Sequence, residues 1–177
     1  MPQPFHKMPG APLWETWQPE IRATLVFVKR GDEVLLIKKL RGIGAGKING
    51  PGGKIDPGET PLECAIRETQ EELHITPLEM TKMGELWFSM VDLPDIHCHV
   101  YVAENFEGVP TATDEAIPMW CKISQIPYEL MWEDDRHWLP QILAGTHFDG
   151  RFLFSNEKIL WKELNFGKNA DAFWRVD

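Results

Sequence analysis

"GGKIDPGETPLECAIRETQEELHI", Gly52 to Ile75, joins a turn-rich lead-in to a helical pattern and crowds Glu68, Glu71 and Glu72 onto one short stretch of it. At about 100° per residue, Leu62, Ala65, Ile66, Thr69 and Leu73 fall on one face, expected to be buried. The three carboxylates fall on a neighbouring flank, aimed elsewhere. Glu68 and Glu72 are i,i+4 neighbours, and like charges so spaced cost an exposed helix only about 0.2–0.5 kcal/mol. Near a partly buried site the repulsion grows: at about 6 Å and an effective dielectric of about 20 it is roughly 3 kcal/mol per pair. A cation would neutralise such a group. Hard divalent ions, Mg²⁺ or Mn²⁺, take carboxylate oxygens and keep positions open for water and phosphate oxygens. A solvated acidic face, with Arg67 paired to Glu71, would use the same residues.

The flanks narrow that choice. Upstream, "INGPGGKIDPGET" holds Gly50, Gly52, Gly53 and Gly58 with Pro51 and Pro57, a loop whose backbone can approach a ligand or offer a carbonyl to a metal. Thr60 before Pro61 reads as N-cap and first helical position. Gly53, then Glu59, then Arg67-Glu68-Thr69-Gln70-Glu71-Glu72-Leu73-His74-Ile75 resembles the Nudix box, a Gly, a Glu, then Arg-Glu-apolar-x-Glu-Glu-x-Gly-apolar. Thr69 stands where an aliphatic is usual and can pack through its methyl group. His74 replaces the Gly that ends the helix, where a left-handed conformation is common. The exchange is expected to cost about 1 kcal/mol of backbone strain, offset in part where a protonated imidazole meets the helix C-terminal dipole. No box carboxylate is lost.

The 177 residues suit one domain, and 43% hydrophobic content supports a sizeable core without any run approaching a membrane span. A formal charge of −9 disfavours polynucleotide partners, which bind mainly by phosphate neutralisation. A small anionic substrate can still be held through metal ions. The N-terminus "MPQPFHKMPGAPLWETW" lacks a signal-peptide apolar core, and no membrane association is expected. Cys64, Cys98 and Cys121 are odd in number and widely spaced, so reduced thiols in a cytoplasmic setting are expected.

Around the box helix the pattern alternates strand and turn. "RATLVFVKR" and "EVLLIKKL" flank Gly31-Asp32 as a hairpin, and "ELWFSMVD" and "IHCHVYVAE" flank Leu93-Pro94-Asp95 as another. A strand follows near "AIPMWCKI", a short helix over "DDRHWLPQILAG", and "RFLFS" and "KILWKEL" turn about Asn156. "GIGAGK", Gly42 to Lys47, has no Ser/Thr after Lys47 and no helix after its glycines, so it reads as a flexible loop rather than a phosphate loop. His97 and His99 share one strand face with Cys98 opposite; without a second ligand pair they read as structural or surface histidines.

The resemblance extends beyond the box, because "LRGIGAGKINGPGGK" and "QIPYELMWEDDRHWLP" are similar to segments of the Nudix branch that hydrolyses oxidised purine nucleoside triphosphates. It implies a Nudix domain over residues 22–165, between extensions 1–21 and 166–177, and an α/β (α+β) fold with a mixed sheet sandwiched between helices. The extensions carry Trp14, Trp17 and Trp174, which either pack on the domain or a partner or are simple terminal padding. It further implies Mg²⁺-dependent cleavage, with Mn²⁺ as a substitute, of a nucleotide such as 8-oxo-dGTP or 2-hydroxy-dATP to the monophosphate and pyrophosphate. The enzyme would be a monomer or homodimer. The resemblance puts Asn49, Trp132, Asp134 and Asp135 on base-recognition positions and Thr24, Lys39 and Phe88 on the pocket lining, with Ile43, Pro51 and Met90 replacing aromatics.

Those residue types suit the task unaided. Trp132 offers a face for a purine to stack on, and Asn49 a donor and an acceptor for a base edge. If Asp134 and Asp135 converge on a buried base, repulsion and desolvation keep one acid protonated, so the pair both donates and accepts. The other reading makes Asp134 a helix N-cap with Asp135 in the first turn. For the chemistry, Glu68, Glu71 and Glu72 with the Gly52 carbonyl are expected to hold the metal, which lowers the pKa of bound water. Glu68, Glu72 or Glu115 takes the proton, the last placed there by the resemblance, and Arg67 orients the group by pairing with Glu59 or Glu71. The same box would serve a dinucleoside or sugar-nucleotide pyrophosphatase, a non-catalytic nucleotide-sensing module, or an RNA-end pyrophosphohydrolase. The intact carboxylates and the absence of a basic stripe disfavour the last two.

Overall fold

The computed structural model of the chain describes residue 14 and residues 16–167. Its elements follow in the order β1 (Ile21–Arg30), β2 (Glu33–Lys39), β3 (Ile48–Asn49), α1 (Pro61–Leu73), β4 (Ile75–Met90), β5 (Ile96–Gly108), β6 (Ala116–Lys122), α2 (Asp135–Leu143), β7 (His147–Ser155) and β8 (Lys158–Gly167). The three expected hairpins form. Gly31 adopts φ 60 between β1 and β2, β4 and β5 pair antiparallel to Phe88↔Ile96, and β7 and β8 turn at Asn156 and Glu157, both with positive φ.

The sheet is mixed and eight-stranded, in the order β3-β2-β1-β5-β4-β7-β8 with β6 also paired to β2. β1 runs parallel to β5, and β4 parallel to β7. Alternate residues of each strand face opposite ways. On one face Val26, Val28, Leu35, Ile37 and Ala103 pack with Ala65 and Leu73 of α1. On the other, Phe27, Leu36, Val100 and Val102 pack with Trp138, Leu139 and Ile142 of α2. The expected sandwich of a mixed sheet between helices is therefore present.

Some local expectations need correction. β4 starts at Ile75, directly after α1, rather than near Glu85; Pro77, Gly84 and the left-handed Glu79 hide the strand pattern, but its first half pairs with β5 through Pro77↔Phe106 and Leu78↔Asn105. On α1 the buried residues are Cys64, Ala65, Thr69, Glu72 and Leu73. Leu62, in the first turn, is 44% exposed and joins neither core cluster. Glu72 lies on the buried face itself rather than on its flank, because the helix turns that face to the loop before it as well as to the sheet.

At the N-terminal side, Trp17 is buried and its Nε1 donates to Asp95 Oδ2 at 3.1 Å. The Trp14 ring lies 5.3 Å from that of Trp17 and 6.0 Å from that of Trp161 on β8. Trp174 and the remaining terminal residues lie outside the described residues. Among the described residues no helix is long and apolar enough to cross a membrane.

Candidate active site

The site is built where the glycine loop lies along β1 and meets α1. Thr24 N donates to Gly53 O at 2.9 Å and Val26 N to Pro51 O at 2.8 Å, pinning the loop to the strand. Two glycines are required by contact: a Cβ on Gly52 would overlap the Thr24 carbonyl, and one on Gly53 would overlap the Glu68 carboxylate. α1 is anchored by a capping box. Thr60 Oγ1 accepts from Glu63 N and Glu63 Oε1 accepts from Thr60 N, both at 3.1 Å.

Arg67 organises the acidic side chains. Its Nε and Nη2 donate to the two oxygens of Glu59 at 2.6 and 2.8 Å, and Nη1 donates to Glu68 at 2.9 Å and to Glu71 at 3.2 Å. A further Nη2 bond to Lys54 O, at 3.1 Å, ties the guanidinium to the loop. The bonds from Arg67 hold Glu59 down to a pKa of about 2. Both pairings expected of Arg67 are thus present.

Glu68, Glu72 and Glu115 converge, each offering an oxygen within 4.8 Å of the others. Glu115 arrives from the loop before β6, held by Leu40 N donating to its carbonyl at 2.9 Å and Arg41 Nη2 donating to its side chain at 2.9 Å. Burial first, then the charges of Glu68 and Glu115, raise the Glu72 pKa to about 8. Burial likewise raises Glu68 against the opposing charge of Arg67. Glu72 Oε2 is buried and has no hydrogen-bond partner. A buried carboxylate oxygen without a donor, beside two more carboxylates, fits a hard divalent cation. Glu71 is not brought into this trio; its side chain is 52% exposed and turned to Arg67. Gly52 adjoins Glu72, and its backbone N–H acts on that carboxylate.

Glu72 also lines a cavity of about 320 Å³. Thr24, Lys39, Asn49, Phe88, Trp132, Asp134 and Asp135 all line it, so the structure gathers every expected pocket residue. Ile43 and Met90 line it too, whereas Pro51 does not; its carbonyl is engaged by β1. Ile96, Cys98 and Phe154 were not singled out from sequence. Period-two alternation along β4 and β5 is the signal that would have found the first two, since Ile96 and Cys98 face the same way as Phe88 and Met90.

Of the cavity lining, Asp134 and Asp135 are 3% and 2% exposed. Burial raises Asp134 to a pKa of about 6, and burial together with the Asp134 charge pushes Asp135 well above the usual range. Asp134 precedes α2 but makes no side-chain cap bond; its Oδ2 accepts from Trp138 Nε1 at 2.8 Å. Asp135 Oδ2 has no partner. Trp132 stands edge-on to Phe154 at 5.9 Å and packs against Gly44, where a Cβ would lie 2.8 Å from its Nε1. Lys39, half-buried, is lowered by desolvation against the pull of Glu72, Glu68 and Glu115.

A glycine-braced helix carrying Glu68 and Glu72 below a mixed sheet defines a class, and the chain belongs to the Nudix family: the NUDIX domain model matches residues 19–142. It is 41% identical over 140 residues to an oxidized purine nucleoside triphosphate hydrolase of Danio rerio, covering 77% of this chain and 88% of that one. The corresponding protein of Mus musculus is 38% identical over 135 residues, covering 76% and 86%. Among solved structures, a MutT protein from Bacillus halodurans superposes with a TM-score of 0.72 at 27% identity, covering 82% of this chain and 97% of its own.

Proposed function

We propose that this chain hydrolyses oxidised purine nucleoside triphosphates, such as 8-oxo-dGTP or 2-hydroxy-dATP, to the monophosphate and pyrophosphate, and so clears damaged nucleotides from the pool. One observation carries the reading: a single cavity is lined both by a buried aspartate pair with Trp132 and by Glu72, which stands beside Glu68 and Glu115. The similarity to two vertebrate hydrolases named for oxidised purine triphosphates supports the same substrate class.

The chain's own residues divide the work. Trp132 stacks on the purine, and Asn49 with the aspartate pair reads its edge. A proton retained by one aspartate lets the pair donate and accept at once, which suits bases whose donors and acceptors change on oxidation. Glu68, Glu72 and Glu115 would hold Mg²⁺, or Mn²⁺ in its place, with the Gly52 carbonyl and Glu71 as further candidate oxygens. Such an ion, when bound, neutralises the phosphate chain and acidifies a water molecule. The proton released on attack has Glu68, Glu72 and Glu115 as acceptors. Arg67 fixes the carboxylates by its bonds to Glu59, Glu68 and Glu71, and Lys39 adds positive charge toward the phosphates. The net charge of −9 favours a free nucleotide over a polynucleotide, and three free cysteines suit a reducing cytoplasm.

The test is pyrophosphate release with Mg²⁺ across normal and oxidised nucleotides, dinucleoside polyphosphates and sugar nucleotides. Highest kcat/KM on 8-oxo-dGTP or 2-hydroxy-dATP is expected. A preference for a dinucleoside or sugar nucleotide, or no turnover of any of them, would contradict the proposal.

A further inference from the structure

On the face of β4 and β5 opposite the nucleotide cavity, a second group of ligating side chains stands apart from the carboxylate site. Sequence alone shows only His97 and His99 there, two residues apart on one strand. The antiparallel register supplies a third member by placing Glu85 directly across from His99. His97 Nε2 lies 2.8 Å from Glu85 Oε1, His99 Nδ1 lies 3.3 Å from the same oxygen, and one ligand atom from each residue falls within 4.8 Å of the other two. We propose that Glu85, His97 and His99 form a second metal site, taking a borderline divalent ion of the Zn²⁺ class, separate from the hard-cation site on α1.

Burial and hydrogen bonding point to a ligand rather than a solvated cluster. Glu85, His97 and His99 are 6%, 5% and 4% exposed. Neither ring nitrogen of His99 has a hydrogen-bond partner; its contact with Glu85 is short but misaligned for a bond. Ligation through His97 Nε2 leaves that ring's proton on Nδ1.

The donor set chooses the ion. Two imidazole nitrogens and one carboxylate oxygen suit Zn²⁺ and its transition-metal neighbours, while Mg²⁺ prefers oxygen alone. The rings are also held in place. Trp87 stacks on His97 at 5.0 Å, and the Arg151 guanidinium covers Trp87 at 4.7 Å. Lys82 Nζ lies 3.5 Å from Glu85 Oε1 on a side chain 28% exposed, so an ion held by Glu85 competes with it for that carboxylate and displaces it toward solvent. Bound there, the ion staples β4 to β5 directly behind Phe88 and Cys98, which line the nucleotide cavity.

Equilibrium dialysis of the full chain against Zn²⁺ in excess Mg²⁺, with bound metal measured by mass spectrometry, tests this. One Zn²⁺ per chain is expected in the wild type and in Glu72→Gln, which impairs only the carboxylate site. His99→Gln and Glu85→Gln should weaken binding by more than about tenfold. Lys82→Met, which removes the competing cation without touching a ligand, should tighten it several-fold. Co²⁺ in place of Zn²⁺ should give visible absorption that His99→Gln abolishes. Failure of Glu72→Gln to bind Zn²⁺ would overturn the proposal, as would binding that the His99, Glu85 and Lys82 substitutions all leave unchanged.

Discussion

Glu72 concentrates the conflict that defines this site, a carboxylate 5% exposed, facing two others, with one oxygen unpartnered. Glu72→Gln keeps its shape and removes its charge. Turnover should fall by orders of magnitude, while in chelator at neutral pH the variant should gain about 1–3 kcal/mol, because folding no longer requires that carboxyl to take up a proton or bury its charge. Paired kcat and denaturant-midpoint measurements check both halves; an unchanged rate would remove Glu72 from the chemistry. The aspartate pair gives a pH signature. Asp134 is raised from 3.8 to about 6, so the proton it holds stabilises the fold fully below 3.8, and that contribution is lost as pH rises through about 6. Asp135→Asn should remove the second raised carboxyl, and with it that group's own share of the fall in stability above pH 3.8, on the order of 1–2 kcal/mol; thermal melts across that range measure it. The pairing of Arg67 and the carboxylate crowding were legible from i,i+4 spacing. The exposure of Glu71 was not, because spacing gives an angle on a helix and not what the neighbouring loop covers. Nor could sequence decide whether Asp134 caps α2, since that depends on Trp138 reaching back to its oxygen.

At the scale of the element, α1 shows which signals survive folding. Its start, at Thr60 and Pro61, was written in local chemistry and holds, with Glu63 completing a box that the sequence also contained. Its end is His74, left-handed at φ 59 and exposed. His74→Gly should therefore stabilise the fold by about 0.5–1 kcal/mol, less a few tenths for the freer unfolded chain. Denaturant midpoints measure this, and a clear loss would assign His74 a packing role. Short strands bounded by Gly, Pro or Asn were legible for the same local reason. β4 was half hidden, because Pro77, Glu79 and Gly84 interrupt its alternation while its pairing with the distant β5 sustains it. Non-local pairing of that kind leaves little trace in a single stretch of residues.

Across the whole molecule, the sheet carries the site by bringing the glycine loop, both helices and the β4–β5 hairpin around one cavity. The box motif made that family and sandwich legible; the N-terminal packing was not, since two tryptophans near a terminus do not say what they cover. Trp17, buried and bonded to Asp95 at the β4–β5 turn, is part of the folded unit. Trp17→Ala should cost about 3–5 kcal/mol in global unfolding while leaving kcat/KM of the folded protein near wild type. A thermal midpoint unmoved by that change would mean the segment is not part of the cooperative unit.

The central claim is that the aspartate pair selects an oxidised purine for the carboxylate site, and the most direct measurement is a matrix of kcat/KM values. Wild type, Asp134→Asn, Asp135→Asn and Trp132→Ala are compared on 8-oxo-dGTP, 2-hydroxy-dATP, dGTP and dCTP. Each aspartate variant should lose about 1.5–3 kcal/mol, roughly tenfold to more than a hundredfold, on the preferred oxidised purine and far less on dCTP. Trp132→Ala should weaken all the purines alike, because stacking tolerates changes at the polar edge. Equal losses on every nucleotide from both aspartate variants would contradict the claim, leaving the pair a structural support and the chain a Nudix hydrolase of another specificity.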